Sequence, residues 1–162
     1  MVPNTWNDAC WEALQEIQQY AKLLKSDVHN VDKYQTVSFA LGHWVNERSD
    51  DNMMAISLMK HAGAMAMHTL LELEGRFDAD SMHKLLCQKQ HDYGHGNIMS
   101  FGVVGVAVRL CDKIARATNL DKHGKNAVAN ETIIDTYADI VGYAVISIML
   151  RNNTFQLELE QK

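Results

Sequence analysis

Three carboxylates, Glu131, Asp135 and Asp139, follow one another at intervals of four residues. At about 100° per residue, a helix gathers them within roughly a quarter turn. Ile133, Ile134, Tyr137, Ile140 and Val141 point mainly the other way, and Ile146, Met149 and Leu150 continue the acidic side. A helix that is apolar all round is buried, so the acidic stripe is expected to face an interior cleft. Carboxylates clustered there repel one another unless a cation binds. Hard oxygen ligands of this kind suit Mg²⁺ or Mn²⁺. The plainer account, in which the helix dipole favours acids in a first turn, covers Glu131 but leaves Asp135 and Asp139, expected deeper in the helix, unexplained.

A second stretch carries the opposite charge. Arg109, Asp112, Lys113 and Arg116 share a helical face by the same spacing, with Gly102 and Gly105 one or two turns earlier. Glycines there leave room for a ligand or a close helix. Arginine can hold a phosphate by a bidentate fork and lysine as a point charge. Asp112 could ligate a metal or orient the cations. A salt-bridged surface face has the same spacing, worth only tenths of a kcal/mol, and spacing alone leaves both readings open.

Lys89, His91, Asp92, Tyr93, His95 and Asn97 crowd around Gly94 and Gly96. A loop of this kind places polar groups on a rigid scaffold: Tyr93 could stack on a base and Lys89 reach a phosphate, or the segment could be a plain polar turn. His61 and His68 lie one heptad apart among five methionines, a density typical of plastic core packing. With His91-Asp92 they also fit, loosely, a metal phosphohydrolase of the HD type. Cys111 reads as core.

These side chains need helices to position them. Apolar residues make up 47% of the 162 and there is one proline, so a globular all-α domain spanning 1–162 is expected, a bundle of about five to six helices. The first helix carries Trp6, Trp11, Leu14, Ile17 and Leu24 behind an Asn4 or Thr5 cap. A loop around Ser26–Asn30 leads to a second helix over about Val31–Glu47. The third holds the methionines from Met53 to Leu71, as core or as a dimer seam. A short fourth runs from an Asp80 cap to Gln90, followed by a loop over His91–Asn97. The fifth covers roughly Phe101–Ala117, and a polar loop spans Asn119–Asn130. Asn130 caps the last helix, which runs to about Arg151, and the polar tail from Asn152 is expected to fray. A net charge of −5 argues against coating DNA. Three cysteines without metal-ligand spacing point to a reduced cytoplasmic setting. No signal peptide is expected, nor an apolar run able to span a bilayer.

The pattern Lys89-x-x-Asp92-Tyr93-Gly94, Phe101-Gly-x-x-Gly105-Val-x-Val-Arg109-x-x-Asp112-Lys113-x-x-Arg116 and Asn130-Glu131-x-x-x-Asp135-Thr136-x-x-Asp139-x-x-Gly142-Tyr143 resembles the nucleotide-modification-associated domain 1 family. The resemblance covers about residues 80–150, and many of that family's members are phage-encoded. The pattern is also similar in kind to MazG-like all-α nucleotide pyrophosphohydrolases. Those bind Mg²⁺ through a Glu-Glu-x-x-Glu helix and a Glu-x-x-Asp helix. This chain departs from both motifs: Glu131 and Asp135 are four apart, and the nearest acidic pair elsewhere is Glu72 and Glu74.

The leading expectation is therefore an enzyme, a metal-dependent hydrolase of (deoxy)nucleoside triphosphates or related nucleotides. Asp112, Glu131 and Asp135 would hold Mg²⁺ or Mn²⁺. Asp139 or Asp92 would add a ligand or the base for water. Lys89, Arg109, Lys113 and Arg116 would neutralise the phosphates, with Tyr93 and Asn97 also against the substrate. The alternative is an accessory protein that binds a nucleotide, or docks on a partner enzyme, without chemistry. By analogy with helical nucleotide hydrolases a homo-oligomer is expected, with no membrane and no direct DNA contact.

Overall fold

The computed structural model describes residues 2–24, 31–75, 77–123 and 132–160. They form seven helices and no strand: α1 (Trp6–Ala21), α2 (Val31–Asn46), α3 (Asn52–Glu74), α4 (Ala79–Tyr93), α5 (Gly96–Met99), α6 (Gly102–His123) and α7 (Ile133–Arg151). The loop expected over Ser26–Asn30, the Asn130 cap and Glu131 lie outside the described residues.

Local signals start and stop these helices. Thr5 Oγ1 accepts from the Asp8 amide at the start of α1, and Asp51 Oδ1 accepts from the Met54 amide at the start of α3. Gly75, with φ +74, ends α3. The centre of the bundle is α3 against α7, with α1, α2 and α6 packed around them. Ala55, Ile56, Met59, Ala62, Ala64, Met65, Ala66 and Met67 are all buried, so the methionine-rich helix is core on several sides. At its tightest point a Cβ on Gly63 would overlap Ala144 of α7. By length and composition α7 could cross a membrane, contrary to the expectation that no run would qualify. Its apolar faces are instead taken up inside the bundle by α3, α6 and α1.

Several boundaries differ from the sequence-based ones. Helix α4 continues through Tyr93, and the turn is confined to Gly94 and His95 before the single turn of α5. Gly94 has φ +66 and ψ −159, a conformation open to glycine because it lacks a Cβ. Helix α6 runs on to His123, through residues expected to be loop, because Ile114, Ala117 and Thr118 keep its buried face going. The tail does not fray. Asn153 adopts the left-handed conformation, with φ +54, and turns the chain so that Phe155 is fully buried edge-on to Trp6. The Trp6 amide donates to Glu158 O at 2.9 Å, and the Glu160 amide to Asn7 Oδ1 at 3.0 Å, tying the tail to the start of α1.

Candidate functional site

The last turns of α4, the middle of α6 and the first half of α7 enclose a cavity of about 360 Å³, closed by α5, Trp6 and Phe155. Helix α4 buries Met82, Leu86 and Gln90, which leaves Lys89 and Tyr93 beside that stripe at the cavity's edge. Helix α6 buries Val106, Leu110 and Ile114, so Arg109 and Lys113, one turn apart, flank the seam with α7. On α7, Asp139, Gly142, Tyr143 and Ile146 recur at helical spacing and form one wall. Gly142 lets α7 approach α4 closely: a Cβ there would stand 3.0 Å from Leu86 Cδ2.

Asp139 is the carboxylate of this cavity among the described residues, and two lysines hold it. Lys89 Nζ lies 2.5 Å from Oδ1 and Lys113 Nζ 2.9 Å from Oδ2. Burial alone would raise the Asp139 pKa, but the hydrogen bonds and charges of the two lysines outweigh it and hold the carboxyl below its ordinary value. The Arg109 guanidinium also lines the cavity, half-buried, and has no hydrogen-bond or ion-pair partner among the described residues. The lining carries three cations against one carboxylate. The remaining wall is apolar and aromatic, from Leu86, Ile98, Val145, Ile146, Trp6 and Phe155. Two residues of the lining each hold a buried polar atom, Trp6 Nε1 and Asn97 Oδ1, with no hydrogen-bond partner among the described residues. A buried polar group left in that state costs about 1–3 kcal/mol.

The structure thus brings together Lys89, Tyr93, Asn97, Arg109, Lys113 and Asp139 of the expected site residues, with Tyr93 exposed at the mouth. It places the others elsewhere. Arg116 donates to Thr132 O at 3.3 Å and to Thr136 Oγ1, bracing the start of α7. Asp135 is exposed and forms a capping box, taking the Thr132 amide at 2.8 Å while its own amide donates to Thr132 Oγ1 at 3.2 Å. The expectation that Asp135 lies too deep for an end effect is corrected here, because α7 begins at Ile133 and Asp135 falls in its first turn. The expected inward acidic stripe is corrected too: of the two described members, only Asp139 faces the cavity. Asp112 is exposed and does not line it. Asp92 is exposed and pairs with His91 at 3.1 Å. Glu131 and the Glu74 side chain lie outside what is described. Gly102 turns the chain into α6 with φ +57, and Gly105 packs on Phe101; neither lines the cavity.

Among the described residues no three His, Cys, Asp or Glu side chains are grouped as a metal centre requires. Both Asp139 oxygens are already held by lysines. The described donor set therefore does not fit Mg²⁺ or Mn²⁺ by itself. Nor do the histidines gather as an HD site: His61 hydrogen-bonds Tyr20 at 3.0 Å and His68 meets Ala21 O at 2.5 Å, both against the end of α1. Sequence reasoning missed Trp6, Gln90, Tyr143 and Phe155. Trp6 and Gln90 look like ordinary helix positions. A lone phenylalanine in a polar tail was a usable signal.

The fold and the cavity define an all-α protein with a cation-rich, aromatic-walled pocket between three helices. Residues 89–150 match the family described as nucleotide modification associated domain 1. The match holds Lys89, Arg109, Lys113 and Asp139, and leaves out Trp6 and Phe155. No curated protein and no solved structure matches the chain.

Proposed function

We propose that the cavity binds a nucleotide, with its phosphates against Lys89, Arg109 and Lys113 and its base toward the apolar wall. The observation that carries this reading is Arg109, a half-buried guanidinium with no partner among the described residues, beside two lysines that share one carboxylate. An anion entering there gains charge-assisted hydrogen bonds in a partly desolvated site. The volume suits a small molecule. The matched family, by its description, associates with nucleotide modification. A cytoplasmic setting goes with this reading, since nucleotides and free thiols such as Cys10, Cys87 and Cys111 belong together there.

A second reading is metal-dependent hydrolysis of the bound nucleotide, and Asp139 favours it as a carboxylate kept ionised beside the cations. It needs further carboxylate ligands than the described residues supply, and Glu131 is the sequence's candidate. Calorimetry with a panel of nucleoside and deoxynucleoside triphosphates, followed by product analysis with and without Mg²⁺, separates the two. Bound, intact nucleotide supports the first reading, and Mg²⁺-dependent product supports the second. No binding to any member of the panel overturns both.

A further inference from the structure

We propose that the cavity selects a nucleoside monophosphate over the corresponding di- and triphosphate, and that Asp139 sets this limit. This rests on the nucleotide reading above and adds to it the length of the phosphate chain. Among the described residues the lining sets three cations, Lys89, Arg109 and Lys113, against one carboxylate, a surplus of two positive charges. A phosphate monoester carries about −1.5 to −2 at pH 7 and balances that surplus. Each further phosphate brings negative charge into a partly desolvated site where the described lining does not neutralise it.

The placement of the acid makes that charge felt. Lys89 Nζ lies 2.5 Å from Asp139 Oδ1 and Lys113 Nζ 2.9 Å from Oδ2. A phosphate oxygen bonded to either lysine, at about 2.9 Å, therefore stands within about 6 Å of a carboxylate oxygen. Like charges at that separation repel. The Asp139 side chain is only 19% exposed and that of Lys113 23%, so water screens the repulsion less than at an open surface. The two lysines also keep the carboxyl ionised, and Arg109 is not among the charges that act on it. Arg109 is thus the cation at which a phosphate escapes the carboxylate, and its fork can take two oxygens of one phosphate. A single phosphate seated there avoids Asp139, whereas a chain that runs on to the lysines meets it. Repulsion of the longer ligand is one way a site gains specificity. Size points the same way: about 360 Å³ lies near the small end of ligand pockets, which run from roughly 300 to 1,000 Å³.

The test is calorimetry on the full chain, without Mg²⁺, with the 5′-mono-, di- and triphosphate of each nucleoside and deoxynucleoside in the panel above. The best-bound monophosphate is expected to bind at least about tenfold more tightly than its triphosphate, with the diphosphate between them. Asp139→Asn is expected to cut that ratio to about threefold or less, chiefly by strengthening triphosphate binding. A general loosening of the site would weaken all three ligands alike and leave the ratio in place. The order of affinities in the unaltered protein carries the test if the variant does not fold. A triphosphate bound as tightly as its monophosphate, with or without Mg²⁺, overturns the inference and leaves nucleotide binding standing. A ratio preserved in folded Asp139→Asn overturns the part given to Asp139. Failure of every mono-, di- and triphosphate to bind removes the nucleotide reading itself.

Discussion

Lys113 Nζ lies 2.9 Å from Asp139 Oδ2 and so ties α6 to α7 across the cavity wall. The other carboxylate oxygen is taken by Lys89 of α4, at 2.5 Å. One acid therefore fixes the relative positions of the three helices that line the site, while Arg109, one turn from Lys113, is left without such a partner among the described residues.

Asp139→Asn is expected to loosen that junction. Hydrogen bonds to a charged group contribute about 1.5–3 kcal/mol when well made, and Lys89 is partly exposed, so a loss near the lower end, about 1–2 kcal/mol, is expected. Urea denaturation read by circular dichroism measures it. An unchanged midpoint would show that the lysines find equal solvation without the carboxylate.

Arg109→Met should behave in the opposite way. With no partner to lose among the described residues, the folded state should stay within about 0.5 kcal/mol of the parent. Nucleoside triphosphate affinity should fall about tenfold or more. A loss of stability with binding intact would sink the proposed role of Arg109.

Stability should decline in acid. The hydrogen bond from Arg151 lowers the Glu16 pKa, burial opposes it, and Lys60 at 3.0 Å adds to the lowering. Asp139 is also depressed, as described above. Both folded values lie below the ordinary 4.5 and 3.8, so in acid the unfolded chain binds more protons. Their contribution is complete above those ordinary values and disappears as pH falls through the folded ones. Urea midpoints from pH 7 to pH 3 should therefore drop most below about pH 4.5. Glu16→Gln should shallow the drop, and an unaltered profile in that variant would disprove its part.

Gly63→Ala should destabilise the α3–α7 crossing. The added methyl overlaps Ala144, and both helices are fixed by neighbours on other sides. Overpacking of this kind costs about 1–3 kcal/mol, measurable as a lower thermal midpoint.

Phe155→Ala tests the docked tail. A buried phenylalanine cut to alanine costs about 3–5 kcal/mol, whereas in a frayed tail it would cost nothing. The same variant opens the cavity wall, so nucleotide affinity should fall as well.

Residue periodicity and capping chemistry were enough for the helical class, for most helix positions and for the cationic side of the site. Helical spacing is local, so the pairing of Arg109 with Lys113 on one face of α6 could be read directly from residue numbers. Asp135 shows the limit of that reasoning. It shares the four-residue spacing of Asp139, yet it caps a helix whose first turn depends on where Thr132 ends the preceding segment. Periodicity says which residues share a face. It does not say where a helix begins or what that face meets. Lys89 and Asp139 are 50 residues apart, and Trp6 and Phe155 lie near opposite ends of the chain. Only the packing of α4, α6 and α7, with the tail turned back at Asn153, brought them to one cavity. Burial then fixed their chemistry, leaving Asp139 shared by two lysines and the indole of Trp6 without a partner among the described residues.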